Sequence, residues 1–362
     1  MKLLFIVTGV GFGDSTREHT NILAVKKKYP KAKIMVACYD NSYNYFKDKY
    51  ETIRIGSYVF AERGMRLRTI PFLGQMIYLP FAWGLSTLKL KLHTLNFKPD
   101  LIISDFEAIG VMLSRITKAK CLTVFSYDPE LYKEYKKEYG ASPKLKFQTH
   151  HFEKVYDKAD LAIIPSLRIQ KPRKLRYTYI NPIIRETPDK LGTEKKLMKE
   201  LKLKKKPILV MLGGSKIGTK LAEDLNKMAK SFKEDFIIFG GHLEGIDFVK
   251  NIQYHNYIPH FLEYLKVCKG IITLAGSKTL SEALVYKKPI MCFPIFDHGE
   301  QITNAYSIKD IAHVHYNTKD LKKKIKAFIK DMPKLQRKVN KYNIKSNGAQ
   351  QFVKLVEIAL QE

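Results

Sequence analysis

The chain has 362 residues, more than one hydrophobic core usually organises, and its 45% apolar content is ordinary for a packed globular protein, so two domains are expected. Lys and Arg number 64 against 35 Asp and Glu, a formal charge of +29, which either attracts phosphates and anionic membrane surfaces or is spread over solvated faces. The lysine clusters at 26–28, 204–206 and 322–324 do not interleave with aromatic residues, which speaks against a nucleic-acid groove. The four widely spaced cysteines, Cys38, Cys121, Cys268 and Cys292, form no C-x-x-C pair, so neither a zinc nor a redox site is expected and the protein reads as cytoplasmic.

In chain order, Met1 to Val7 mimics the start of a signal peptide, but the apolar run is short and leads into a glycine loop, so a buried first strand is expected. A helix follows from about Ser15, then apolar runs of strand length at 34–38, 101–105, 121–126 and 161–166, alternating with amphipathic stretches as in a parallel sheet covered by helices. Residues 70–88 carry no charge, yet Pro71, Gly74, Pro80 and Gly84 interrupt them, so they predict no membrane span; they read either as a core helix with its loop or as a surface that docks on anionic lipid. Residues 1–182 form the first domain, and Pro182, Pro188 and Gly192 punctuate a linker over 183–206. The pattern restarts with strands at 208–215, 236–241, 270–276 and 289–295, giving a second domain over 207–345. Residues 346–362 predict a last helix that packs on one of the two, with the N-terminal domain as a candidate. The predicted fold class is α/β, two Rossmann-like doubly wound domains facing across a cleft.

Ligands of such sheets sit outside the carboxyl ends of the strands, where loop amides and helix N-termini receive phosphate. Four segments have that placement. The first runs Thr8-Gly9-Val10-Gly11-Phe12-Gly13-Asp14-Ser15-Thr16-Arg17, in which glycines permit close approach of a ligand; Gly11, Gly13, Ser15 and Arg17 are its candidate acceptor or phosphate contacts. Its G-x-G-x-G spacing lacks the gap of a dinucleotide fingerprint, and Asp40 is a loose match for that fold's ribose acid. The second, Gly213-Gly214-Ser215, is either a tight strand-to-helix turn or a diphosphate cradle. The third, Gly276-Ser277-Lys278-Thr279 with Glu282, puts a carboxylate within the first turns of a helix, where it can accept both hydroxyls of a ribose. The fourth carries Glu300, Gln301 and Asn304 just after a strand.

Taken in order, Gly213-Gly214-Ser215, Gly276 to Glu282, Pro289, Phe293-Pro294, Gln301 and Asn304 resemble the GT-B glycosyltransferases, particularly the family that contains MurG, the bacterial N-acetylglucosaminyltransferase of cell-wall precursor synthesis, and related archaeal enzymes. The resemblance spans nearly the whole chain. It implies that Glu282 binds the ribose hydroxyls, that Ser215, Ser277, Lys278 and Thr279 meet the phosphates, that Arg185 of Asn181-Pro182-Ile183-Ile184-Arg185 reaches the diphosphate, that Tyr257-Ile258 reads the base and that Glu300 and Gln301 lie near the transferred sugar. It implies a UDP-sugar donor and hexosyl or N-acetylhexosaminyl transfer with inversion; the uncharged stretch 70–88 and its basic surroundings add the expectation of a glycan or lipid-linked acceptor at the inner membrane face. Where the family's first loop commonly carries a histidine, this chain has Asp14; it is the leading general base, with Asp105 and Glu107 in reserve. No D-x-D triplet occurs, so no metal and no cofactor is expected. Two alternatives stay open: a UDP-N-acetylglucosamine 2-epimerase of the same fold, and a non-catalytic nucleotide-sugar-binding subunit associated with the membrane.

Overall fold

The computed structural model of the chain describes residues 1–57, 62–63, 66–67, 69–172, 174–213, 218–241, 243–256 and 258–361, those between 62 and 77 by their backbone alone. The chain divides into two compact units: Met1–Ala61, Leu67–Ile183 and Ser346–Glu362 form the first, and Glu62–Arg66 with Ile184–Lys345 the second.

The first unit begins with β1 (Lys2–Val7), α1 (Phe12–Lys28), β2 (Lys33–Cys38), α2 (Asp40–Phe46) and β3 (Glu51–Arg54). After the short strands β4 (Glu62–Arg63) and β5 (Arg66–Leu67) come α3 (Thr69–Phe97), β6 (Leu101–Asp105), α4 (Ala108–Thr117), β7 (Lys120–Val124), α5 (Pro129–Tyr139), α6 (Pro143–Lys158), β8 (Leu161–Pro165) and β9 (Tyr177–Ile180). Its seven strands are parallel in the order β3-β2-β1-β6-β7-β8-β9. β1 pairs with β2 on one side and β6 on the other, so helices cover both faces and the strand reads as continuous apolar residues. Leu3, Phe5 and Val7 of β1 share one face with Ile22 and Val25 of α1 and with Phe352, Val353 and Val356 of the last helix. Burying each such side chain contributes about 1.5–3 kcal/mol.

The second unit holds α7 (Glu194–Glu200), β10 (Ile208–Met211), α8 (Thr219–Ala229), β11 (Phe236–Phe239), β12 (Ile252–His255), α9 (Phe261–Val267), β13 (Gly270–Thr273), α10 (Ser277–Val285), β14 (Ile290–Cys292), α11 (Gly299–Ser307), β15 (His313–Val314) and α12 (Leu321–Lys341). Its sheet is parallel in the order β12-β11-β10-β13-β14-β15, a second doubly wound unit. The chain then returns to the first unit with α13 (Gly348–Gln361). Gly348 is required there, since a Cβ would stand 2.0 Å from the Asn181 carbonyl oxygen. Gln351 accepts from the Asn181 backbone at 2.7 Å, and Tyr29 of α1 donates to Glu357 at 2.6 Å.

Three features differ from the sequence expectation. Residues 184–206 are part of the second unit: Thr193 caps α7, whose Leu197 is buried, and Lys266 of α9 donates to the carbonyls of Pro188 and Leu191. One helix, α3, runs through Pro80; proline forfeits a single intrahelical bond, and the buried Ala82, Ser86, Thr87, Leu90 and Thr94 anchor the turns beyond it. Among the described residues no helix is long and apolar enough to cross a membrane. The strands β3, β9, β12 and β15 extend the sheets past the apolar runs read from the sequence.

Candidate active sites at the strand ends

In the second unit the strand order reverses between β10 and β13, and the loops that follow these two strands hold the candidate donor residues. Gly213, two residues past β10, has φ +75°, a left-handed backbone suited to glycine. Gly240 of the neighbouring loop packs so tightly on it that a Cβ would lie 2.1 Å from the Gly213 carbonyl oxygen, and Gly241 donates to that oxygen at 3.1 Å. These two glycines were legible only as the end of a strand. The loop after β13 turns at Ala275, φ +64°, fully buried, and passes through the N-cap Gly276 into α10. Gly276 offers no side chain to the first amides of α10, those of Ser277, Lys278 and Thr279, which leaves that helix end suited to an anion.

Glu282 lies one turn further along, 1% exposed. Arg185 grips it with two parallel bonds, Nε to Oε1 at 2.9 Å and Nη2 to Oε2 at 2.8 Å, and Lys278 stands 3.8 Å away. Burial alone would raise the Glu282 carboxyl, but the two cations and the hydrogen bonds from Arg185 outweigh it and hold the group below its ordinary range. The Arg185 guanidinium also lies over the Phe261 ring, 5.4 Å from its centroid. The two residues expected to grip ribose and diphosphate therefore grip each other.

On α11, Gln301 accepts from the Ile295 backbone at 3.0 Å, and Asn304 bridges Glu300 at 3.1 Å and the Ala275 carbonyl at 3.3 Å, tying this helix to the loop before α10. His298 caps α11 through its ring and is pushed down to about 4 by burial, so it is neutral at physiological pH. Ile258 is half-buried just beyond β12. Gly214, Ser215 and Tyr257 lie outside the described residues.

In the first unit the reversal falls between β1 and β6. Gly9 is forced by the close approach of β2, since a Cβ would meet the Tyr39 carbonyl oxygen at 2.2 Å. The helix α1 starts at Phe12, earlier than its sequence suggested, with Gly11 as N-cap, so Gly13 and Asp14 sit in its first turn. Ser15 and Arg17, expected to meet an acceptor or a phosphate, both lie inside the unit. Ser15 is fully buried and hydrogen-bonded to Ser42 at 2.7 Å. Arg17 is 3% exposed and spends its charge inward: Nη2 bonds both Asp14 (2.7 Å) and Asp105 (2.6 Å), and Nε lies 3.5 Å from Glu18.

Three acids thus share one guanidinium, and burial raises all three, Arg17 pulling them partly back. Asp105 and Glu18 are fully buried, whereas the Asp14 side chain keeps 25% of its surface open. Glu107, beside them after β6, is a separate group. It accepts from the Tyr39 hydroxyl at 2.8 Å and from Ser57, to which the Trp83 indole also donates at 3.0 Å, and burial lifts it to about 7. Glu18, Tyr39 and Ser57 were not singled out from the sequence; a buried charge in the first turns of a helix looks the same there as an exposed one.

A model of the family described as glycosyl transferase family 1 matches residues 1–333. An uncharacterized glycosyltransferase of Methanosarcina acetivorans is 22% identical over 337 residues, covering 86% of this chain and 84% of the relative. Among solved structures, Acinetobacter baumannii MurG superposes with a TM-score of 0.60 at 16% identity over 99% of this chain and 100% of that one. Arabidopsis thaliana UGT89C1, solved with UDP, gives 0.65 at 12% identity over 99% of each chain. These structural likenesses are likenesses of fold.

Proposed function

The chain belongs to glycosyl transferase family 1 and is a glycosyltransferase of the GT-B type, and on that footing we propose that it transfers a hexose or N-acetylhexosamine from a UDP-sugar to an acceptor hydroxyl with inversion and without a metal. The carrying observation is the cluster at the reversal point of the second sheet, where the open N-terminus of α10, Glu282 and Arg185 converge. In this reading the acceptor oxygen attacks the anomeric carbon, the bond to the diphosphate breaks, and the acceptor proton passes to Asp14. The departing UDP is stabilised by the α10 amides and Arg185, which supply the positive charge a metal would otherwise bring. Asp14 is favoured over Asp105 and Glu107 because it alone of the three retains exposed surface. UDP as the leaving group is supported by the UDP complex of the Arabidopsis protein.

The same proposal places the reaction at the cytoplasmic face of an anionic membrane, with a lipid-linked acceptor. Its support is α3, whose outer face carries Tyr78, Phe81, Leu85, Leu88, Leu92 and Leu95, with Phe81 and Leu85 72% and 70% exposed, while its buried face is small and polar. Between Glu62 and Asp100 the sequence has no acid but carries Arg63, Arg66, Arg68, Lys89, Lys91 and Lys98. An exposed apolar stripe flanked by cations suits a bilayer with anionic headgroups.

The direct test is to incubate the protein with UDP-glucose or UDP-N-acetylglucosamine and lipid or glycan acceptors, with and without EDTA, and to read UDP release and product anomer by NMR. Acceptor-dependent UDP release with inversion, indifferent to EDTA, is the expected result. Formation of an epimer without acceptor, retention at the anomeric carbon, or abolition by EDTA would each overturn the corresponding part.

A further inference from the structure

The bidentate clasp of Arg185 on Glu282 fills the acceptor positions that a ribose would need. Both Glu282 oxygens are taken by the guanidinium, and the carboxylate is 1% exposed. The fork takes one lone-pair site on each oxygen and burial closes off the rest, so ribose hydroxyls have no approach to the carboxylate while the fork is in place. Pulling the fork away without replacing its charge would strand a buried anion, which is among the more costly changes a fold can undergo.

We propose that Arg185 and Glu282 form an exchange latch: the guanidinium that clasps Glu282 holds the place of the ribose, and an arriving nucleotide takes Glu282 with its hydroxyls while handing Arg185 to its diphosphate. This deepens the donor-site reading above and rests on it. Each part of the nucleotide then solves the other's problem. The diphosphate receives the displaced cation, and the ribose receives the vacated carboxylate.

Two neighbours make the exchange feasible. Lys278, 8% exposed and 3.8 Å from Glu282, continues to compensate the carboxylate after the guanidinium leaves. Arg185 keeps 28% of its side-chain surface open, so its head, which lies over the Phe261 ring, has an exposed edge along which to leave. The latch also makes the two halves of the ligand cooperative. A nucleoside alone must open the clasp and leaves Arg185 with no anion to receive it, whereas the diphosphate form supplies one. The nucleoside therefore binds only the fraction of molecules in which the clasp is already open.

The test uses matched pairs, uridine with UDP, thymidine with dTDP, guanosine with GDP and adenosine with ADP. Each is titrated calorimetrically at pH 8 into wild type, Arg185→Gln and Arg185→Lys. The latch predicts that removing the fork improves nucleoside binding, by about fivefold or more in both variants. Diphosphate binding by Arg185→Gln should weaken about tenfold while Arg185→Lys, which keeps the charge, stays within a few-fold of wild type. Nucleoside binding that is unchanged or weaker in both variants, with wild-type melting curves, would overturn the latch and leave the donor site standing. Should the variants not fold, the Arg185 Nε–H resonance of 15N-labelled wild type gives the answer: it shifts on adding the diphosphate if the clasp opens, and a resonance unmoved by a bound diphosphate overturns the exchange. If no nucleoside diphosphate of any base binds wild type, the donor-site reading itself falls, and the latch with it.

Discussion

At the carboxyl end of the first unit's sheet, three acids, the buried Glu18 and Asp105 and the partly open Asp14, share the one guanidinium of Arg17, whereas at the matching end of the second sheet one buried acid, Glu282, has two cations, Arg185 and Lys278. The same burial acts on both clusters with opposite results. With cations scarce, desolvation wins and the acids hold their protons more tightly; with cations in excess, the carboxylate stays charged below its ordinary range. A cluster of the first kind suits proton uptake. One of the second kind suits a fixed negative acceptor for hydroxyl groups and a store of positive charge for phosphate.

The comparison breaks most visibly at Arg17. Replacing it by Met leaves two buried carboxylates and the partly open Asp14 without that cation, and the first unit should lose about 3–5 kcal/mol. Urea denaturation followed by fluorescence of Trp83, the chain's single tryptophan, reads this directly; an unchanged midpoint would mean that the acids are held neutral without Arg17.

The next effect is set by pH. Burial lifts Glu107 from 4.5 to about 7, so its contribution to stability is full below 4.5 and is lost as pH rises through 7, a swing of about 3 kcal/mol. Glu282, held low, behaves oppositely: its contribution is present above 4.5 and is lost as pH falls through its depressed value. Glu107→Gln should therefore flatten the decline of Trp83-reported stability between pH 4.5 and 7, and a variant that retains the wild-type slope would remove Glu107 as its source.

The smallest effect on stability should come from α3. Leu85→Glu with Leu88→Glu alters side chains that are already exposed and should change the unfolding free energy by no more than about 0.5 kcal/mol. Cosedimentation with phosphatidylglycerol vesicles should nevertheless be lost. Retained binding would detach the apolar stripe from any membrane role.

Much of this organisation was legible because central strands of parallel sheets are covered on both faces and read as unbroken apolar runs, as in β1, β6, β10 and β13. The edge strands β3 (ETIR) and β12 (IQYH) were not, because strands covered less completely need few apolar residues. The segment 184–206 looked like a linker through its prolines and lysines, although the buried Ile184 and Leu197, the Thr193 cap and the bonds of Arg185 and Lys266 build it into the second unit. Within the sites, Glu282 stood out by its placement and Arg185 through the family resemblance, but their separation of 97 positions conceals the clasp. The burial of Ser15 and Arg17 was hidden for a related reason: sequence gives the residue but not the face of α1 it occupies, and charged side chains are usually outside.

The most direct measurement of the central claim is the thermal stability of the protein with UDP at a hundredfold excess over its dissociation constant, compared between wild type and Glu282→Ala. Wild type should gain about 2.7 kcal/mol and the variant should gain almost nothing. Equal stabilisation of the two proteins would contradict the assignment of Glu282, and with it the donor site at the end of the second sheet.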